Sequence, residues 1–472
     1  MLAAAAVTNG VCADASDPLL DVLIKKGILT EQEAKDIKTE AQTNTVPTTA
    51  SKWKISDSIK SIGLFGDVRF RYEYRGADNA PGLKAAQTPA TDSYYRERFR
   101  YALRFGLRGD LFDDFNYGIR IETGTNPRST WVTFGDDSSP TPSSKSNDGI
   151  FIGQAYLGWH PADWYEMTVG KMPMPLYTTP MVWDSDISPE GAFEKFKFSV
   201  ANVDLFAGFG QFMYQDNNPD VSFPSSDTFL LAWQVGANVK LDKYSSFKVA
   251  PVLYNYAGQG ASGGLNIPYT GQGDVLGGTN TTGASFNQNG INDLLIVEVP
   301  LEYNLKLGAY HARLFGDYAY NIHGDDRAQS AFNAGKISGA LTSLVKGQSS
   351  AYQVGFGLGN EGPVYGPTQG LVYGSTSKKN TWEGRVYWQH VEQYALDVNL
   401  MDSDFFEGRA NLEGIYSAFA YSFTDAIIGT VRYGYANIIN HKLGTGGNNS
   451  DLSILNPVKN YNLVQLDLTL RF

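Results

Sequence analysis

The sequence predicts an all-β chain, a transmembrane antiparallel β-barrel of about 16 strands preceded by a short helical segment. Three observations carry that expectation. Long stretches alternate apolar and polar residues with a period of two. Their connections are short and long by turns. No run approaches the ~20 consecutive apolar residues that a membrane-crossing helix needs.

Composition agrees. Aromatics make up 13% of residues, with 28 Tyr and 50 Gly, which suits a sheet with a lipid-facing side and many turns. A mean hydropathy of -0.27 is polar for a membrane protein, but in a barrel only alternate residues face lipid. The net charge of -11 argues against nucleic acid as a partner. Cys12 is the single cysteine, so no intramolecular disulfide can form.

Residues 1–15 read as a truncated signal peptide. Leu2–Val7 is a small apolar core, and Val11–Ala13 or Ala13–Ala15 would serve as a cleavage site, although a basic start is missing. Residues 16–46 read as a helical hairpin. Leu19, Leu20, Leu23 and Ile24 form a stripe at helical spacing, Gly27 breaks it, and Thr30 with Glu33 forms a capping box for a second helix. One such hairpin is too small to be stable alone, so it must pack on copies of itself, on the barrel mouth or on cell-wall material. Residues 47–61 form a linker that Pro47 keeps from continuing the helix.

From residue 62 to 472 the period is two. In Tyr95–Leu111, Phe99, Tyr101, Leu103, Phe105 and Leu107 share one face, while Arg98, Arg100, Arg104 and Arg108 share the other. Phe229–Leu241 and Leu295–Leu305 repeat the pattern, the latter opposite Glu298, Glu302, Asn304 and Lys306. Short turns fall at 112–114, 161–164, 201–204, 242–245 and 424–426. Long polar or Gly-rich loops fall at 76–92, 126–148, 172–191, 258–292, 324–348 and 440–459. The Gly-rich stretch 360–379 belongs on the short-turn side yet is long, which leaves room for a miscount by two strands.

The arginines fix which face is which. A lipid-facing Arg near the bilayer midplane costs roughly 2–4 kcal/mol. Arg69, Arg71, Arg98, Arg100, Arg104, Arg108 and Arg120 must therefore face inward, opposite their apolar neighbours. Glu73, Glu97, Glu122 and loop acids are available to relieve their repulsion.

Three stretches resemble the putative porin family of Gram-negative bacteria. They are Gly170–Pro180 running on through Val182–Gly191, then Asp402-Ser403-Asp404-Phe405-Phe406 with Gly408 and Gly414, and the terminal strand Leu466–Phe472. The resemblance spans about Ser61–Phe472 and implies an outer-membrane diffusion channel for small hydrophilic solutes, most simply as a homotrimer. It leaves the solute open. The alternating terminal strand ending on Phe472 is similar to the signal by which the assembly machinery of the outer membrane recognises its clients.

With the N-terminus periplasmic, residues 172–191 are the third external loop, which in general porins folds inward and narrows the pore. Pro173, Pro175 and Pro180 stiffen it, and Asp184, Asp186 and Glu190 supply acids to face the arginine wall. Three readings stay open: a transverse field between loop and wall, an arginine ladder selecting anions or phosphate, and arginines that only brace the barrel. No cofactor or metal is implied, and residues 16–46 could instead tether the envelope. A hydrolase is disfavoured because the five histidines (His160, His311, His323, His390 and His441) are scattered without spaced Ser or Asp partners.

Overall fold

The computed structural model describes residues 25–26, 30, 58–79, 93–124, 129–135, 149–216, 227–258, 293–333, 344–360, 378–445, 452 and 458–472. Residues 1–57 and 58–472 are separate units. The expected signal peptide and nearly all of the helical hairpin lie outside the described residues.

Among the described residues of the second unit sixteen long strands run antiparallel. They are β1 (Gly63–Asn79), β2 (Ser93–Asp110), β3 (Phe115–Gly124), β4 (Gly149–Ala162), β5 (Tyr165–Lys171), β6 (Glu190–Val200), β7 (Val203–Gln215) and β8 (Thr228–Lys240). There follow β9 (Ser245–Val249 and Val252–Gly258), β10 (Leu295–Leu307), β11 (Tyr310–Asn321), β12 (Ser350–Gly359), β13 (Trp382–Val391), β14 (Leu412–Ser422), β15 (Ile427–Ile438) and β16 (Val458–Arg471). Strand β9 is one course in two pieces, both pairing with β8 and β10. It breaks at Pro251, which has no N–H to give the ladder. A two-residue strand, Val132–Thr133, pairs with β2 inside a loop. The ladder closes where β1 meets β16, from Asp67 opposite Arg471 to Ala77 opposite Tyr461. At that seam Phe472 and Gly66 exchange backbone hydrogen bonds of 3.0 and 3.1 Å. Strands β12 and β13 pair directly, so residues 360–381 add no strand among the described residues.

Burial runs opposite to that of a water-soluble protein. Phe99 is 60% exposed while Arg71 is 3% exposed. The apolar face therefore points outward all round the barrel, as a lipid-facing band requires. Aromatic rings gather at the rim of short turns, where Trp164 stacks on Phe196 and Phe198 at 6.2 and 6.4 Å.

Among the described residues the one α-helix of several turns, α1 (Gly324–Asn333), interrupts the 324–348 stretch that the sequence reads as loop. Asp325 and Asp326 in its first turn favour the positive end of the helix dipole. Its Ala328 is buried with Tyr394 and Leu443 from two other long connections.

Candidate functional site

The inward face of β1 and β2 concentrates guanidinium groups because both strands carry Arg at the same parity. Arg71 lies opposite Arg100, and Glu73 opposite Arg98. Glu73, 1% exposed, is the hub. Its carboxylate accepts a hydrogen bond from Arg98 Nε at 2.7 Å, pairs with Arg75 Nε at 3.0 Å, and has Arg71 and Arg100 at 3.6 Å. Gln465 Nε2 donates to its second oxygen at 2.9 Å. Asp467 on β16 takes Arg71 bidentately, at 2.7 and 2.9 Å, and also pairs with Arg432 on β15. The Trp131 ring packs against Arg71, whose guanidinium carbon is 4.0 Å from its centroid, and Arg69 donates to Thr130 Oγ1 at 3.1 Å.

Two loops fold into this lumen. The first, L3, comprises residues 172–189 between β5 and β6. Its acidic end meets the wall where Asp186 pairs with Arg104. Burial works to raise the Asp186 pKa, but Arg104 and then Arg69 outweigh it and hold the group below the usual carboxylate range. Its other end crosses to the far wall. Gln234 on β8 clamps Tyr177, accepting from its N–H at 2.9 Å and donating to its carbonyl at 2.8 Å. Thr178 Oγ1 donates to Glu298 at 2.7 Å, Thr179 Oγ1 donates to Asp317, and Tyr254 OH donates to the other Glu298 oxygen at 2.6 Å. L3 therefore spans the lumen from β2 to β10 and β11.

The second loop, L7, comprises residues 392–411 between β13 and β14. Its Asp404 accepts from Arg71 at 3.0 and 3.1 Å and from Arg75 at 3.1 Å. Burial raises the Asp404 pKa, yet Arg71 and Arg75 overcome it and hold the group well below the usual range. Asp402 goes the other way, raised by burial and then by Asp184 and Asp404. L7 is stapled to L3: Asp402 N–H donates to the Pro180 carbonyl at 3.0 Å, and Ser403 N–H donates to Asp184 Oδ2 at 3.2 Å.

The structure thus brings together most, not all, of the residues singled out in the sequence. Arg69, Arg71, Arg98, Arg100, Arg104 and Arg120 line one wall. Arg108 lies further toward the short turns, its guanidinium 5.0 Å from the Phe65 ring. Of the three loop acids, only Asp186 touches the wall. Asp184 turns inward to fasten L3, accepting from Asp186 N–H at 2.9 Å. Glu190 departs from expectation. It opens β6 rather than ending the loop, and the ladder sets it opposite Lys171, with which it pairs at 2.9 Å on the outer face. The wall is also less bare than its sequence suggests. Arg69 pairs with Asp67 at 2.8 Å and Arg120 with Glu122 at 2.8 Å. Asp404 and Asp467 supply further counter-charge that the sequence reading did not assign to the arginines. Asp404 had a signal, its place in an Asp-rich motif, but the inward fold of L7 had none.

Among the described residues no histidine hydrogen-bonds a serine. His390 Nδ1 contacts Glu413 at 2.8 Å, and His160 contacts Asn116 at 3.3 Å.

Residues 28–304 match the family described as putative porin. No curated protein matches the chain. Similar solved structures include a double mutant of Rh. blastica porin (11% identity, TM-score 0.38) and a triple mutant of Rhodopseudomonas blastica porin (11%, 0.37). A third is described as "Asymmetric conductivity of engineered proteins" (10%, 0.38). Each alignment covers 87% of this chain and 100% of the other.

Proposed function

The chain belongs to the putative porin family, and from that premise we propose that it is an outer-membrane porin passing small hydrophilic solutes and ions by passive diffusion. The observation that carries this reading is L3, anchored at both ends across a lumen whose walls are polar and whose outside is apolar. A loop held this way narrows a pore, and a polar lumen costs a hydrated solute little desolvation. Bracing is the second reading of the arginines, and their neighbours favour it over a bare anion ladder: Arg69, Arg71, Arg75, Arg98, Arg104 and Arg120 each meet a carboxylate.

The same reading assigns the N-terminal segment to the periplasm, in contact with the cell wall, and the strand ending at Phe472 to recognition by the assembly machinery. It also assigns a homotrimer. The register sets Lys171, Glu190 and Glu194 on the outer face of β5 and β6. Charges there are costly against lipid and acceptable against a second copy.

Liposome swelling tests the function. Vesicles carrying refolded protein should swell in small neutral sugars, at rates that fall steeply with sugar size. Swelling no faster than that of empty vesicles, with the barrel shown to be folded, contradicts it.

A further inference from the structure

On the short-turn side of L3 lies a cavity of about 960 Å³. Among the described residues six basic side chains line it, Arg104, Arg108, Arg120, Lys195, Lys197 and Lys248, against the acid Asp204. Three of the six, and the acid, are already matched. Arg104 pairs with Asp186, Arg120 with Glu122 at 2.8 Å, Lys197 with Glu166 at 2.8 Å, and Asp204 with Lys240 at 2.8 Å. Arg108, Lys195 and Lys248 form no ion pair with a described carboxylate. The ladder sets Glu166 opposite Lys195 and Glu302 opposite Lys248, but Glu166 pairs with Lys197 and Glu302 with Arg313, so neither lysine holds a carboxylate of its own in this chamber.

The chamber also has an apolar floor. Phe193 and Phe206 lie flat against the wall because their neighbours on β7 and β8 are glycines. A Cβ on Gly208 would collide with the Phe193 ring, and one on Gly236 with Phe206. Lys248 Nζ stands 3.5 Å from the Tyr177 ring centroid and 5.5 Å from that of Phe206, so an ammonium group borders the aromatic surface. Met174 and Leu176 of L3 continue that surface.

We propose that this chamber binds small organic carboxylates carrying an apolar or aromatic body, the carboxylate meeting Lys195 and Lys248 and the body resting on the phenylalanines. The site rests on the porin reading of the same lumen and gives it a substrate class. A volume of this order suits a small organic ligand. Lysine presents a compact point charge suited to a single carboxylate, whereas an inorganic oxyanion would gain nothing from the aromatic floor.

The test is benzoate block of single-channel current in potassium chloride, with benzamide and sulfate as comparisons. Benzoate should reduce the current in a dose-dependent manner. The double variant Lys195→Gln and Lys248→Gln should raise the half-blocking concentration about tenfold or more, the size expected for losing a charge-assisted contact. Equal block by benzamide, stronger block by sulfate, or an unchanged half-blocking concentration in the double variant would each overturn the proposal. Open steps without any benzoate block sink the chamber and leave the porin reading standing. Absence of open steps from folded protein sinks the porin reading and the chamber with it.

Discussion

Glu73 shows how a single residue organises the lumen. It is enclosed by Arg75, Arg98, Arg100 and Arg71, and removing its charge would leave buried guanidinium groups short of a counter-ion. Breaking a buried pair by removing one partner typically costs about 3–5 kcal/mol. Glu73→Gln should lower the thermal midpoint of the folded barrel accordingly, read as the temperature at which its compact electrophoretic form is lost. An unchanged midpoint would mean that Asp404 and Asp467 suffice. Asp186 makes a pH prediction. Its pKa is lower folded than unfolded, so the stability from its pair with Arg104 is present above the unfolded value and lost only as pH falls through the lowered one. The difference in conductance between the protein and its Asp186→Asn variant should therefore persist through the ordinary carboxylate range near pH ~4 and disappear below it. At this scale the sequence reveals orientation well and partnership poorly. Parity alone turns Arg69, Arg71, Arg98 and Arg100 inward. That Asp467 would meet Arg71 depends on closure between the first and last strands, which no local pattern encodes.

L3 and L7 differ in what their sequences disclose. L3 announces itself through its prolines, its acids and its place after the fifth strand. Its far anchor is invisible, because Glu298 and Asp317 are ordinary inward residues of β10 and β11 until Thr178 and Thr179 reach them. Those threonines give the next prediction. The double variant Thr178→Val and Thr179→Val keeps the loop's shape but removes two hydroxyl donors from buried carboxylates. Each loss should cost about 1–3 kcal/mol. L3 should loosen, so the largest sugar admitted in swelling assays should increase while the barrel remains folded. An unchanged size limit would show that the Gln234 clamp and the Arg104–Asp186 pair hold the loop without them. L7 escapes a sequence reading as an inward loop because its polar and apolar residues follow no strand period, and only closure brings Asp404 beneath Arg71 and Arg75. The reverse error at Glu190 has a simple cause. A two-residue difference in where β6 begins decides whether a side chain belongs to a loop in the lumen or to the outer wall.

At the scale of the whole molecule the barrel is the most legible part, because lipid outside and water inside impose one alternation on every strand. The expected strand number follows from that alternation even across the Gly-rich stretch 360–379, since β12 and β13 pair directly. The same alternation hides the lumen's internal balance of charge, which depends on strands far apart in sequence. Everything proposed for this barrel requires that its lumen conduct. Single-channel recording of refolded protein in planar bilayers tests that most directly. Stable, discrete open steps that scale with salt concentration are the predicted result. Bilayers that stay silent with barrels shown to be folded and inserted would contradict it, and the two inward loops would then be a plug.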